Sequence, residues 1–113
     1  MTQDLPTFDG LLDWPALNDW LMAGSLPGSG PVTGVEQLTG GSQNNLFLLQ
    51  RGDQCFVLRR PPRHLRPTSN QTMLREARVL GALAGSDVPH PALLGLCDDL
   101  SVIGVNFFLM EPL

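Results

Sequence analysis

Glycine and proline constrain this chain more than any other feature. Twelve glycines and ten prolines are spread over 113 residues, against a combined average usage of about 12%. They cut the chain into short pieces and leave one long helical pattern, residues 68–84. A simple helix bundle is excluded, and short strands joined by many turns are favoured. The length fits one ordinary domain, and 42% of the residues are hydrophobic. That is enough for a core and excludes wholesale disorder. The longest apolar run, Leu100–Met110, has 11 residues. It falls well short of the roughly 18–20 that a membrane span needs and reads as a strand.

Between the breaks the pattern is legible. Asp13 or Trp14 can cap a short helix with Pro15 in its first turn. Leu17, Trp20, Leu21 and Ala23 form its apolar stripe, and Gly24 stops it. Residues 25–31 (SLPGSGP) hold neither helix nor sheet and make a connector. Val32–Leu38 and Leu46–Leu49 read as strands around Gly40, Gly41 and Ser42. Arg51-Gly52-Asp53 is a second tight turn, and Cys55–Leu58 is a third strand ending in Arg59-Arg60. Pro61 and Pro62 close it. Thr68 and Gln71 have capping-box spacing. Met73, Ala77, Leu80 and Ala84 then recur on one helical face, up to a stop at Gly85. After the extended Val88-Pro89-His90-Pro91, Ala92–Cys97 and Val102–Met110 give two strands across an Asp98-Asp99 turn. The class is α+β, with a five-stranded, mostly antiparallel sheet and one long packed helix.

Charge placement is uneven. The chain has no lysine, and all seven arginines lie between Arg51 and Arg78. Acidic segments flank this basic window, and the net charge is −4. Bulk charge therefore argues against nonspecific nucleic-acid binding. The basic window reads either as an anion site or, for Arg63 and Arg66, as a solvated loop. Asp4, Asp9 and Asp13 without a basic residue make the N-terminus unlike a signal peptide. Cys55 and Cys97 lie in apolar runs and read as reduced, buried thiols of a cytoplasmic protein. The Asn70-Gln71-Thr72 sequon would then be idle.

Two constellations could carry chemistry. Glycines at 40 and 41, with Ser42, can present backbone N–H groups to phosphate oxygens, although a plain hairpin turn uses the same residues. Cys55, Val57 and Arg59 share one face of their strand. Glu76 flanks the apolar stripe of the following helix, roughly 60° away at 100° per residue. Arg59 and Glu76 can therefore pair, unless Glu76 is taken by Arg75, Arg78 or water. His64 and His90 lack neighbours at metal-ligand spacing. No Gly-x-Ser-x-Gly nucleophile motif is present.

Strand, glycine loop, strand, strand ending in a cation, helix bearing an acid, two strands: this is the order of a kinase amino-terminal lobe. The wording resembles the aminoglycoside phosphotransferase family, in its bacterial branch near choline and fructosamine kinases. The matching stretches are residues 38–44 (LTGGSQN), 56–62 (FVLRRPP), 75–80 (REARVL), 88–91 (VPHP), 96–99 (LCDD) and 104–111 (GVNFFLME).

The resemblance implies ATP with Mg as cofactor and a small-molecule hydroxyl as phosphoryl acceptor. Gly40, Gly41 and Ser42 would cover the phosphates and Val57 would roof the adenine. Arg59 would replace the strand-three lysine on the α/β-phosphates, with Glu76 as its helix partner. Met110 would sit behind the base, and the backbone of Glu111 and Leu113 would form the hinge. Arginine keeps the charge but is larger than lysine. Arg60 offers a second register, which the shared face with Val57 disfavours. The implied organisation is a helix and connector (1–31), a kinase-like lobe (32–110) and the start of a hinge (111–113). The catalytic loop and metal ligands are expected beyond Leu113, with none in this chain. Weak nucleotide binding and self-association through an apolar face near Leu74, Val88, Met110 and Leu113 are the further expectations. The rivals are a noncatalytic module with the same fold and an anion or nucleic-acid binder using Arg59–Arg66.

Overall fold

The computed structural model describes residues 5, 12–24, 30–38, 45–61, 67–87 and 92–112. Helix α1 (Trp14–Ala23) opens with Asp13, whose side chain accepts from the Ala16 N–H at 3.3 Å. Pro15 sits in the first turn, where no N–H is needed. Strands β1 (Gly34–Gln37), β2 (Asn45–Arg51) and β3 (Gln54–Arg60) follow, then α2 (Ser69–Ala82) and β4 (Leu93–Cys97). A one-turn helix, α3 (Leu100–Ile103), precedes β5 (Phe107–Met110). All four strand pairings are antiparallel, in the order β1-β2-β3-β5-β4.

The period-two pattern of the strands sorts their side chains onto two faces. On one, Phe47, Leu49, Phe56, Leu58, Phe107 and Leu109 are buried against Leu12, Trp14, Leu17 and Leu21. Trp20 meets the Phe107 ring edge-on at 5.0 Å. The Asn18 side chain accepts from the Val32 N–H at 2.9 Å, fastening the end of the connector to α1. On the other face a smaller cluster joins Met73 and Ala77 of α2 to Phe108 of β5. The sheet is therefore the shared wall of two unequal cores, and α1 belongs to the larger.

Four readings of the sequence need correction. Residues 100–103 are helical instead of opening the last strand. The Asp99 carboxylate caps them by accepting from the Ser101 N–H at 2.9 Å and its hydroxyl at 2.6 Å. Gly104, at φ 87°, ends the turn in the left-handed region that favours glycine. Thr68 does precede α2 but makes no side-chain cap bond, so no capping box forms. Cys55 is exposed because it lies at the start of β3, beside the Gly52-Asp53 turn, while Cys97 is buried as expected. On α2, Leu80 is half-buried and Ala84 lies exposed past the helix end, so the covered stripe is shorter than the periodicity suggested.

Leu74 and Met110 of the expected apolar patch are half-buried. Val88 and Leu113 lie outside the described residues, as do Arg63, His64, Arg66 and His90.

Candidate functional site

Antiparallel partners project to the same face, so the register assembles the site. Between β2 and β3 the pairs are Leu46–Arg59 and Leu48–Val57. Between β3 and β5 they are Val57–Met110 and Arg59–Phe108. All six side chains stand on the face that carries α2. The helix lies over β4 and β5, toward one edge of the sheet. Leu46 and Leu48, toward the other edge, are half-buried, and the neighbouring Gln50 is exposed. The result is a shelf of apolar surface beside a helix flank, with a cation at its end.

That cation is held. Arg59 donates from Nη2 to Glu76 Oε1 at 2.7 Å, with the two side chains 24% and 35% exposed. Glu76 reaches across to the sheet although Arg75 and Arg78, both exposed, are its sequence neighbours. The tertiary partner wins because Glu76 flanks the Met73/Ala77 stripe and so faces the sheet edge-on. A partly exposed pair of this kind contributes up to about 1 kcal/mol; its larger effect is to fix where the guanidinium sits. Glu76 Oε2 is a buried atom with no hydrogen-bond partner among the described residues. Arg60, on the opposite face, is 4% exposed and donates from Nε to the Pro61 carbonyl at 3.1 Å. Arg59, then, is the arginine of the pair.

At the end of β5, Met110 is half-buried opposite both Val57 and Leu93. Glu111 extends the β4–β5 ladder by one rung. Its N–H donates to the Ala92 carbonyl at 2.9 Å, and its carboxylate accepts from the Ala92 N–H at 3.0 Å. The Glu111 N–H is thus engaged within the sheet. Val57 is only 5% exposed, so most of the apolar surface at the shelf belongs to Leu46, Leu48 and Met110. Gly40, Gly41, Ser42 and Leu113 lie outside the described residues. Among the described residues no three His, Cys, Asp or Glu gather as a metal site.

Sequence reasoning missed Leu46 and Leu48. Their signal was present in the alternation with the fully buried Phe47 and Leu49, but a run of four apolar residues hides which pair faces which side. It also missed Asn106, whose place beside α2 no local pattern announces.

A family model described as "Phosphotransferase enzyme family" matches residues 34–113. Acyl-CoA dehydrogenase family member 10 of Mus musculus is 39% identical over 83 residues, 74% of this chain and 8% of that protein. Acyl-CoA dehydrogenase family member 11 of Rattus norvegicus is 40% identical over 91 residues, 76% of this chain and 12% of that protein. The chain thus spans about a tenth of the length of these curated relatives. Among solved structures, a Ralstonia eutropha JMP134 protein named "putative aminoglycoside phosphotransferase" superposes with a TM-score of 0.70 at 39% identity. The match covers 89% of this chain and 28% of that one.

Proposed function

The chain belongs to the phosphotransferase enzyme family, and from that membership we propose that it forms the ATP-binding lobe of a small-molecule phosphotransferase. The observation that carries the reading is the Arg59–Glu76 pair at 2.7 Å. A cation is fixed at the end of a strand, next to an apolar shelf, by an acid from the neighbouring helix. Phosphoryl transfer asks the protein chiefly for position and opposite charge, and this arrangement provides both. Arg59 would hold the α/β-phosphates and Glu76 would orient it. Leu48, Val57 and Met110 would contact the adenine, with the Glu111 carbonyl and the Leu113 backbone pairing its edge. Gly40, Gly41 and Ser42 would close over the phosphates. When bound, ATP supplies the γ-phosphoryl group that passes to a hydroxyl of the acceptor.

Magnesium accompanies such transfers; among the described residues no three His, Cys, Asp or Glu gather, and the proposal assigns it no ligand from this chain. We read the stretch shared with the much longer acyl-CoA dehydrogenase family members as their phosphotransferase-like part.

Calorimetric titration with ATP tests the proposal. Saturable binding that weakens about tenfold or more in Arg59→Ala supports it, a loss of the size expected for a charge-assisted hydrogen bond. Heat that is equal in the two proteins, or no binding, sinks it. Single-stranded DNA titrated at two salt concentrations separates an arginine-loop anion binder, whose affinity would fall steeply with salt.

A further inference from the structure

Helix α2 brings Glu76 to Arg59, yet the apolar contact beneath it is slight. Among the described residues, only Met73, Ala77 and Phe108 are buried there, with Leu80, Leu93 and Met110 partly covered. Apolar contact is non-directional, and a small side chain such as Ala77 presents a smooth surface. Packing of this kind holds a helix down without fixing its roll or its position along its axis. The Thr68 side chain makes no cap bond either, so the start of the helix is not fastened by its own cap.

A different group fastens it. Asn106, just before β5, is 6% exposed and meets Asn70 of the first turn twice. Its backbone N–H donates to Asn70 Oδ1 at 2.9 Å, and its Nδ2 donates to the Asn70 carbonyl at 3.2 Å. Backbone and side chain of each residue are both engaged, so the contact fixes direction as well as distance. The remaining acceptor, Asn106 Oδ1, is buried with no partner among the described residues. Leaving a buried carbonyl unmet is costly, so the two bonds to Asn70 are the polar contacts that hold this side chain.

The helical wheel gives the clamp its meaning. Taking roughly 100° per residue, Asn70 lies about 50° to one side of the Met73/Ala77/Leu80 stripe and Glu76 about 60° to the other. Along the axis they are separated by about 9 Å. One tether on one flank would let the helix roll about it. Two tethers on opposite flanks, a turn and a half apart, set both roll and axial position.

We propose that Asn106 is a positioning residue for the nucleotide site, acting through the Asn70 clamp to hold α2 so that Glu76 meets Arg59. The inference rests on the ATP-lobe reading for its functional consequence, but the positioning itself can be read without nucleotide.

The test follows the Arg59 guanidinium Nη–H resonances by NMR in the wild type, Asn106→Ala, Asn70→Ala and Glu76→Ala. Glu76→Ala gives the signature of a lost pair. The proposal expects the two clamp variants, with unchanged far-ultraviolet dichroism, to shift toward that signature. It also expects faster amide exchange over residues 70–77. Should Asn106→Ala fail to fold, Asn70→Ala carries the test, since its side chain is only half-buried. An Arg59 resonance at the wild-type position in either folded variant overturns the proposal.

ATP titration then adds a readout that loss of stability alone would not move. Asn106→Ala should weaken binding about tenfold in the wild-type background and have little further effect in Glu76→Ala. Equal losses in both backgrounds overturn action through Glu76. A wild type that binds no ATP defeats the ATP-lobe reading, while the resonance and exchange data still decide the clamp.

Discussion

The two cysteines show how little a residue's sequence neighbours reveal about its fate. Both sit in apolar runs, but Cys55 begins β3 on an exposed position and Cys97 ends β4 in the core. Burial pushes the Cys97 thiol up, with Asp99 and Asp98 adding repulsion and its bond to the Asp99 carbonyl opposing them. A thiol-specific reagent at neutral pH should therefore label one cysteine natively and two after denaturation, with Cys55 identified by mass spectrometry as the first. Asp99 shifts the other way. Donation from the Ser101 hydroxyl and N–H holds its carboxyl below the usual range. Its folded pKa lies below the unfolded value of about 3.9. Its contribution is therefore full above that value and is lost as pH falls through the depressed one. The melting-temperature gap between wild type and Asp99→Ala should be open at pH 7 and close on acidification below pH ~4. A gap independent of pH would show that the carboxylate does not cap α3.

At the scale of elements, each boundary has a physical cause that can be removed. Met73 is 1% exposed in the α2 cluster, so Met73→Ala should cost about 2–5 kcal/mol. Leu80 is half-buried, and Leu80→Ala should cost clearly less, about 1–2 kcal/mol. Urea melts of the two variants, compared at equal slope, measure the difference. Equal costs would mean that the stripe is as long as the periodicity implied. Gly104, at φ 87° with no atom within 4 Å of an added Cβ, is limited by backbone conformation, not by space. Gly104→Ala should therefore cost about 1 kcal/mol through strain alone.

For the whole molecule, the larger core couples α1 to all the central strands. Leu17 is fully buried among Phe47, Leu49, Phe56 and Phe107 in that cluster. Leu17→Ala should lower global stability by about 2–5 kcal/mol, and calorimetry should still show one transition involving both helix and sheet. An early melt of α1 alone, with the sheet signal unchanged, would show that the N-terminal helix is an appendage. The uneven division of the two cores also explains the site. One face of the sheet is filled by α1 and the strand aromatics. The other is covered by α2 over β4 and β5, which leaves the shelf of Leu46 and Leu48 beside Arg59.

Local chemistry by itself determined the number of strands, a first-turn place for Pro15 in α1, the tight turn at Gly52 and the existence of α2. Each follows from breakers, caps or periodicity that act within a few residues. It also placed Arg59 and Glu76 on facing elements, because strand alternation and helical spacing are fixed periods. The helical turn at 100–103 went unread because a capping Asp and a closing glycine compete with an apolar run that equally suits a strand. Only the tertiary structure decided that Glu76 takes Arg59 over Arg75 or Arg78, and that Leu48 faces the shelf while Leu49 enters the core. The same holds for Asn106, which reaches 36 residues back to Asn70. Those choices depend on which surfaces meet, and no period along the chain encodes a contact between distant segments.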